Sequence, residues 1–484
     1  MNKFLKFPLM MAALGSVLLL ASCSEDPALP DNVTEFESDA IGLSASETST
    51  TVNVKLVREA QFESTVTVTI EPTGVVYGTD FTTEPAASNG TGFFIPVAAG
   101  ATSLSFTINK TNKTGLAGDE KIVFTITDVG ESLVLGEKKT LTLSFAELLA
   151  TEATMEVSGG GATHPNRVFI DLSGNRQTSV ARTSWDLAFA SGADEFRVVL
   201  NSANGMLARA LDKTDLTAVT AADTVGFGAQ LSLNAIFGQA ASVEDPATLP
   251  DWVKNSTIWM DNPAGDLSRT AIAEVSTTAV ENKVYIINPG TGINNAALGW
   301  KKIRVIRNGS NYTLQHADIS SNTFTTVDVT KNAATRFNYV SFATGAVNVE
   351  PEKKKWDIAW TGFTNTTNFG PGTPNIPYYF QDMIITNNSA GVQTASVLNS
   401  AGVTYDAFAE ANLASVTWSS SQIGIGSAWR TTGPPPSPVG PRTDRFYVVK
   451  DTDGNYYKVQ FTALTTNGER GKPQLRFALV KKAG

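Results

Sequence analysis

One cysteine and two histidines in 484 residues remove most of the usual chemistry at the outset. A lone thiol, Cys23, cannot form an intrachain disulfide. With so few imidazoles and thiols, nucleophile–base pairs and His/Cys metal cages lack their members, and no serine elbow is present, so the chain is not expected to be an enzyme. The carboxylate pairs of a sugar-cleaving enzyme are defined by distance in space and stay open at this stage. Charge is sparse as well. Lys and Arg number 37 against 46 Asp and Glu, a formal balance of −9, with no basic patch to match a phosphate backbone; nucleic acid is not an expected partner. After the first twenty or so residues, no apolar run approaches the length of a membrane-crossing helix.

What is present starts at the N-terminus. Lys3 and Lys6 precede an apolar run at 9–20 that is too short to span a bilayer and reads as a secretory signal covering residues 1–22. Leu20-Ala21-Ser22-Cys23 resembles the lipobox of bacterial lipoproteins, which implies that Cys23 is the lipid-carrying residue; the alternative is a buried free cysteine. Several acyl chains would anchor the protein durably where one would not. Ser24-Glu25-Asp26 resembles the acidic export tag of surface lipoproteins in Bacteroidetes, which implies an outer-membrane protein facing the cell exterior. Residues 23–36, with Pro27 and Pro30, read as a lipidated tether.

Thr, Ser, Asn, Gly and Val dominate the remainder and favour strands and tight turns, so the fold class is all-β. Residues 37–148 alternate polar and apolar side chains at 51–56, 64–70, 103–108, 121–126 and 140–145, the pattern of a β-sandwich. Gly78-Thr79-Asp80-Phe81, Ile95-Pro96, Ala99-Gly100-Ala101-Thr102 and Gly118-Asp119-Glu120 resemble a Calx-beta domain. That resemblance implies calcium as a candidate ion, with Asp80, Asp119 and Glu120 as oxygen ligands. Acids that merely cap loops are the competing explanation.

A Gly-rich stretch at 158–161 and His164-Pro165 read as a domain junction. Beyond it the chain repeats, as copy 1 over 160–332 and copy 2 over 333–484. Residues 168–174 lead to Trp185-Asp186, and residues 338–345 lead to Trp356-Asp357. An Asn-bearing strand follows in each copy (197–201 and 383–387), and each closes with a hairpin pattern, 283–306 and 445–461. The repeat offset marks a duplicated domain rather than a solenoid. This ordered series resembles the HmuY family, lipid-anchored β-rich haem binders of Bacteroidetes that pass haem to an outer-membrane receptor. The resemblance implies haem or a related tetrapyrrole as ligand. A surface adhesion or glycan-binding lipoprotein on the same scaffold is the alternative, because a fold does not fix a ligand.

Haem needs an axial ligand, and the loop histidine of the family is missing: Trp429-Arg430 stands there in copy 2 and Trp259-Met260 in copy 1. The candidate ligands that remain are Met206, Met260, His316 and Met383. The plainer readings are packing for the methionines and a surface strand position for His316. His164 reads as a solvated linker residue. Tyr378, Tyr379, Trp429 and Tyr447 are candidate aromatics for a flat apolar slot, or else core aromatics. The Asp of each Trp-Asp pair is expected to serve neighbouring backbone amides. Two stiff Pro-rich loops, 370–377 and 433–441, are candidate walls of a ligand site or plain surface connections.

Overall fold

The computed structural model describes residues 31–43, 47–111, 120–145, 150–292, 296–433 and 439–483. Cys23 with the whole leading segment, Asp119, and residues 434–438 of the second Pro-rich loop lie outside them. No helix among the described residues is long and apolar enough to cross a membrane.

Strict alternation builds the N-terminal sandwich. In Ser49–Leu56 and Ser103–Lys110 every second side chain is buried, so each strand has one face that must be covered. Two five-stranded sheets cover each other. One is ordered Phe81–Glu84, Ser103–Lys110, Ser49–Leu56, Val33–Phe36, Val134–Leu135; the other Ala40–Gly42, Thr140–Ser144, Lys121–Asp128, Ser64–Thr73, Gly92–Val97. Phe36, Phe81, Phe93, Phe106 and Phe124 fill the space between them. The Phe93 and Phe124 rings approach Phe106 at 4.8 and 5.2 Å in tilted contacts. Each fully buried side chain of this size contributes roughly 1.5–3 kcal/mol.

The duplicated region is one interleaved β assembly of two lobes. In the first lobe, a sheet of Val198–Leu200, Leu187–Ala190, Phe337–Ser341 and Gly345–Val347 packs on a five-stranded meander from Leu207–Ala210 to Thr325–Val329. In the second, Arg176–Ala181, Asn166–Asp171, Ile358–Thr367 and Ile376–Thr386 pack on the sheet Glu152–Glu156, Glu469–Lys481, Tyr456–Thr466, Arg445–Lys450, Gln393–Leu398. Each lobe takes its opening hairpin from the other copy. Asn166–Asp171 of copy 1 pairs with Ile358–Thr367 of copy 2, with Phe169 opposite Ala359. Phe337–Ser341 of copy 2 pairs with Leu187–Ala190 of copy 1, with Tyr339 opposite Ala188.

The Trp-Asp pairs lock this exchange from both sides. Asp186 Oδ2 accepts the Phe342 N–H at 2.6 Å, and Asp357 Oδ2 accepts the Leu172 N–H at 2.8 Å, each across the copy boundary. Asn201 and Asn387 close the same turns by donating to the Trp185 and Trp356 carbonyls at 2.7 and 2.9 Å. The rings repeat the symmetry: Trp185 meets Tyr339 edge-on at 4.9 Å, and Trp356 meets Phe169 edge-on at 5.1 Å. These four aromatics, with Ala188, Ala359, Met383 and Ile385, form the core between the lobes.

Regular α-helix is confined to Leu233–Ala241 and Asp251–Lys254 among the described residues. The sandwich docks on the second lobe through polar contacts. Arg176 bridges Asp171 and Glu47 at 2.9 and 3.4 Å, and Ser158 Oγ donates to Glu37 at 2.8 Å.

Candidate functional site

Two places gather unusual side chains. The first is an exposed aromatic cluster. Ile358–Thr367 and Ile376–Thr386 form a long hairpin whose tip, 368–375, takes in residues 370–375 of the first Pro-rich stretch; Ile376 and Pro377 of that stretch already belong to the returning strand. The Phe369 N–H donates to Thr373 Oγ1 at 3.0 Å, which closes the tip and holds the Phe369 ring outward. Tyr378 and Phe380 lie on one face of the returning strand, their rings 5.1 Å apart. Leu233–Ala241 of the first lobe buries Ile236 and turns Phe237 towards them. Phe237 contacts Phe369 at 5.4 Å and Tyr378 at 5.8 Å. Phe237 and Phe369 remain 39% and 48% exposed, so three chain segments assemble a platform of rings open to solvent.

The second place is a cavity of about 100 Å³ between the lobes. Trp185, Trp356, Tyr339 and Phe363 supply apolar walls, and Met206 and Met260 also line it. Asp261 fixes one wall by accepting the Leu200 and Ala271 N–H groups at 2.6 and 2.9 Å. Burial pushes its carboxyl up to about 6, against those two hydrogen bonds. Glu350 accepts from the Phe337 N–H at 2.7 Å and the Tyr339 hydroxyl at 3.0 Å, and burial raises the pKa of both side chains. Several residues that line the cavity also carry a fully buried polar atom with no protein partner: Nε1 of Trp185 and Trp356, Nε of Arg167, Oγ1 of Thr386 and Oδ1 of Asn387. An unsatisfied buried donor costs about 1–3 kcal/mol.

Of the residues singled out from the sequence, the cavity brings together Met206 and Met260, and the platform takes Tyr378. The others go elsewhere. Met383 is fully buried in the core between the lobes. Tyr379 points away from Tyr378, its hydroxyl donating to the Ala203 carbonyl at 2.9 Å. Trp429 and Tyr447 are packed inside the second lobe, the Trp429 N–H donating to the Asp382 carbonyl at 2.8 Å. His316 is buried rather than a surface strand residue; its ring lies 5.1 Å from Phe342, and burial lowers its pKa.

His164 is not a solvated linker residue either. It is 3% exposed, stacks on Trp360 at 5.5 Å, and contacts Asp382 Oδ1 at 3.2 Å. Arg430 Nε lies 3.2 Å from the same carboxylate, and Arg470 also pairs with it. Burial pushes Asp382 up, but the His164 hydrogen bond and the two arginine charges outweigh it, so the net shift is downward.

In the sandwich, Asp80 Oδ2 accepts the Val76 N–H at 2.8 Å, a turn contact, and Glu120 precedes the strand Lys121–Asp128. Among the described residues no group of three or more His, Cys, Asp or Glu could hold a metal ion, so the calcium expectation finds no cage there.

A family model described as HmuY protein matches residues 163–324 and 333–477, well over half of the chain. The chain belongs to the HmuY family. It carries two HmuY copies, and their boundary falls just ahead of the exchanged Phe337–Ser341 strand. No curated protein matches. Among solved structures, the apo form of the Calx CBD1 domain is 15% identical over 24% of this chain and 95% of its own, with a TM-score of 0.21. A two-domain protein of unknown function from Bacteroides fragilis NCTC 9343 is 8% identical over 38% of this chain and 66% of its own, with a TM-score of 0.19.

The platform residues Phe237, Phe369 and Phe380 were not picked out from the sequence. One signal was there: Phe369 immediately precedes the stiff Gly370–Pro loop. Nothing in sequence brings Phe237, more than a hundred positions earlier, to the same place.

Proposed function

We propose that this HmuY protein is a surface-anchored lipoprotein that captures haem or a related tetrapyrrole on the exposed platform of Phe237, Phe369, Tyr378 and Phe380, and hands it to an outer-membrane receptor. Family membership supports the ligand class. The observation that carries the choice of site is one of size. Small-molecule sites run to about 300–1,000 Å³, and the cavity holding Met206 and Met260 offers about 100 Å³, too little for a macrocycle. A flat apolar ring system needs an accessible aromatic face; Phe237 and Phe369 supply exposed rings at the hairpin tip, set edge-on to each other at 72°, so a macrocycle would meet one ring face and its neighbours' edges. A ligand held on an open face by stacking is also accessible to a second protein. Cys23 and the lipobox-like residues before it support the membrane anchor.

Titration of residues 24–484 with haemin tests the reading. The expected result is saturable Soret binding without the low-spin bands of a bis-ligated iron, lost in a Phe237→Ala/Phe369→Ala double variant. A low-spin spectrum that disappears in Met206→Ala or Met260→Ala would move the site to the cavity. Non-saturating spectra throughout would remove haem as the ligand.

A further inference from the structure

Hydrogen bonds gather three loops of the sandwich at the end where the chain enters it. Asn32, immediately before the strand Val33–Phe36, is 2% exposed. Its side chain accepts the Arg58 N–H at 3.0 Å and donates to the Glu59 carbonyl at 3.4 Å, and its own carbonyl accepts the Val134 N–H at 3.0 Å. The Ala60 N–H donates to the Ala101 carbonyl at 2.8 Å, and the Gly100 N–H returns to the Ala60 carbonyl at 2.7 Å. Ser64 Oγ donates to the Val129 carbonyl at 3.0 Å. The loops 57–63, 98–101 and 129–134 therefore form one surface around the point of entry. Lys472 of the second lobe reaches the same surface, its ammonium donating to the Val57 carbonyl at 3.3 Å.

This surface exposes apolar side chains out of proportion to its size. Among the described residues the sandwich has five exposed large apolar side chains, and three of them, Val57, Phe62 and Val134, stand here. Phe62, at 66%, is the most exposed aromatic residue among those described. Ala98 and Ala99 of the neighbouring loop are exposed as well. Apolar groups collected in one place mark a partner more often than apolar groups scattered singly. The length of chain before this point says which partner. Nine residue steps separate Cys23 from Asn32, and a fully extended chain covers at most about 3.6 Å per residue, so a lipid on Cys23 keeps this end within about 30 Å of a bilayer. Charge narrows the lipid. Glu59, Glu63 and Glu131 are exposed among the apolar residues, so an anionic surface would repel this end and a zwitterionic one would not.

We propose that this end of the sandwich docks on the membrane, with Val57, Phe62 and Val134 set into the interface of a zwitterionic phospholipid bilayer. The proposal rests on the reading of Cys23 as the lipid-carrying residue. A short tether holds the three loops at high effective concentration beside the bilayer, so a few apolar side chains are enough to decide which way up the protein stands. The lipid fixes where the protein is, and the loops fix its orientation.

Cys23 is the single thiol, so a maleimide-bearing phospholipid couples the chain from that residue onward to phosphatidylcholine vesicles, whatever the cell itself attaches there. Phe62→Trp and Val76→Trp place reporters beyond the two ends of the strand Ser64–Thr73, roughly 30 Å apart. Both positions are exposed, so neither change disturbs the core. The vesicles carry phosphatidylcholine brominated near the headgroup end of its acyl chains, which quenches tryptophan at contact range. The emission that Phe62→Trp adds over wild type should fall about twofold or more on brominated vesicles, and less when phosphatidylglycerol replaces part of the lipid. The emission added by Val76→Trp should not change. Quenching of neither reporter would show the sandwich standing clear of the bilayer, and quenching of both would show no preferred end; either overturns the proposal. Quenching strengthened by phosphatidylglycerol would overturn the choice of lipid. The anchor is read separately, from the mass of the Cys23 peptide in protein taken from the cells that make it. An unmodified thiol there would overturn the anchor reading and the docking with it, whereas a lipidated Cys23 with an unquenched Phe62→Trp would overturn the docking alone.

Discussion

Asp261 is a residue whose ionisation the fold should feel plainly. Its carboxyl receives two backbone N–H groups, from Leu200 and Ala271, and burial still raises its pKa from 3.8 to about 6. A folded carboxyl that holds its proton more tightly than the unfolded one contributes most stability at low pH, and the contribution falls as pH rises from the unfolded to the folded value. At about 1.4 kcal/mol per unit, the loss between about pH 4 and pH 7 is at most about 3 kcal/mol, and nearer 2 kcal/mol once solvent screening of a residue of intermediate exposure is allowed for. Asp261→Asn removes the ionisation and keeps one of the two N–H contacts. Its stability relative to wild type should therefore improve by about 2 kcal/mol between those pH values, whatever the offset from the lost hydrogen bond. Denaturant unfolding followed by tryptophan fluorescence measures this. All eight tryptophans lie at or beyond residue 185, so the signal comes from the duplicated region alone. Parallel pH profiles for the two proteins would show that Asp261 titrates normally and that the cavity wall is wetter than the geometry implies.

Three further outcomes are expected. Asp382→Asn leaves Arg430, Arg470 and His164 around a neutral amide and should cost about 3–5 kcal/mol near neutrality; because the Asp382 pKa is depressed on folding, the difference from wild type should shrink as pH falls through the ordinary carboxylate range, seen in the same unfolding assay. Gly362→Ala would set a methyl 1.9 Å from the Tyr379 hydroxyl, so the ring must swing off the Ala203 carbonyl at a cost of roughly 1–3 kcal/mol, readable as a lowered midpoint. Trp185→Ala and Trp356→Ala should destabilise the duplicated region by similar amounts, roughly 3–5 kcal/mol each, since the two rings occupy equivalent places; a large inequality would refute the equivalence.

The sandwich was legible because its strands obey a period of two, and a one-residue slip would expose a whole apolar face. The duplication was legible from the repeated Trp-Asp pairs. The exchange was not, since alternation identifies a strand without naming its partner: Asn166–Asp171 and Phe337–Ser341 are alike enough that pairing within or across copies reads the same. His164 misled for a physical reason. The glycines before it are there for close approach rather than flexibility; a Cβ on Gly159 would sit 2.2 Å from the Gly471 carbonyl oxygen and 2.4 Å from the Trp360 ring. A packing glycine and a linker glycine are the same letter. The ligand positions suffered likewise, because methionine serves a cavity wall and a core equally well, as Met260 and Met383 do.

The reciprocal hairpins also set the order in which the chain can become a protein. As it emerges from its N-terminus, the first 330 or so residues contain the whole of copy 1, yet neither of its central sheets can close. Leu187–Ala190 awaits a neighbour that is synthesised about 150 residues later, and Asn166–Asp171 awaits one later still. Both would stand as open edges in the meantime, the kind of edge on which chains aggregate. A premature stop between the copies should therefore yield no half-active fragment, and separately expressed copies should recover structure only when mixed. Two repeats in the gene amount to a single cooperative unit in the fold.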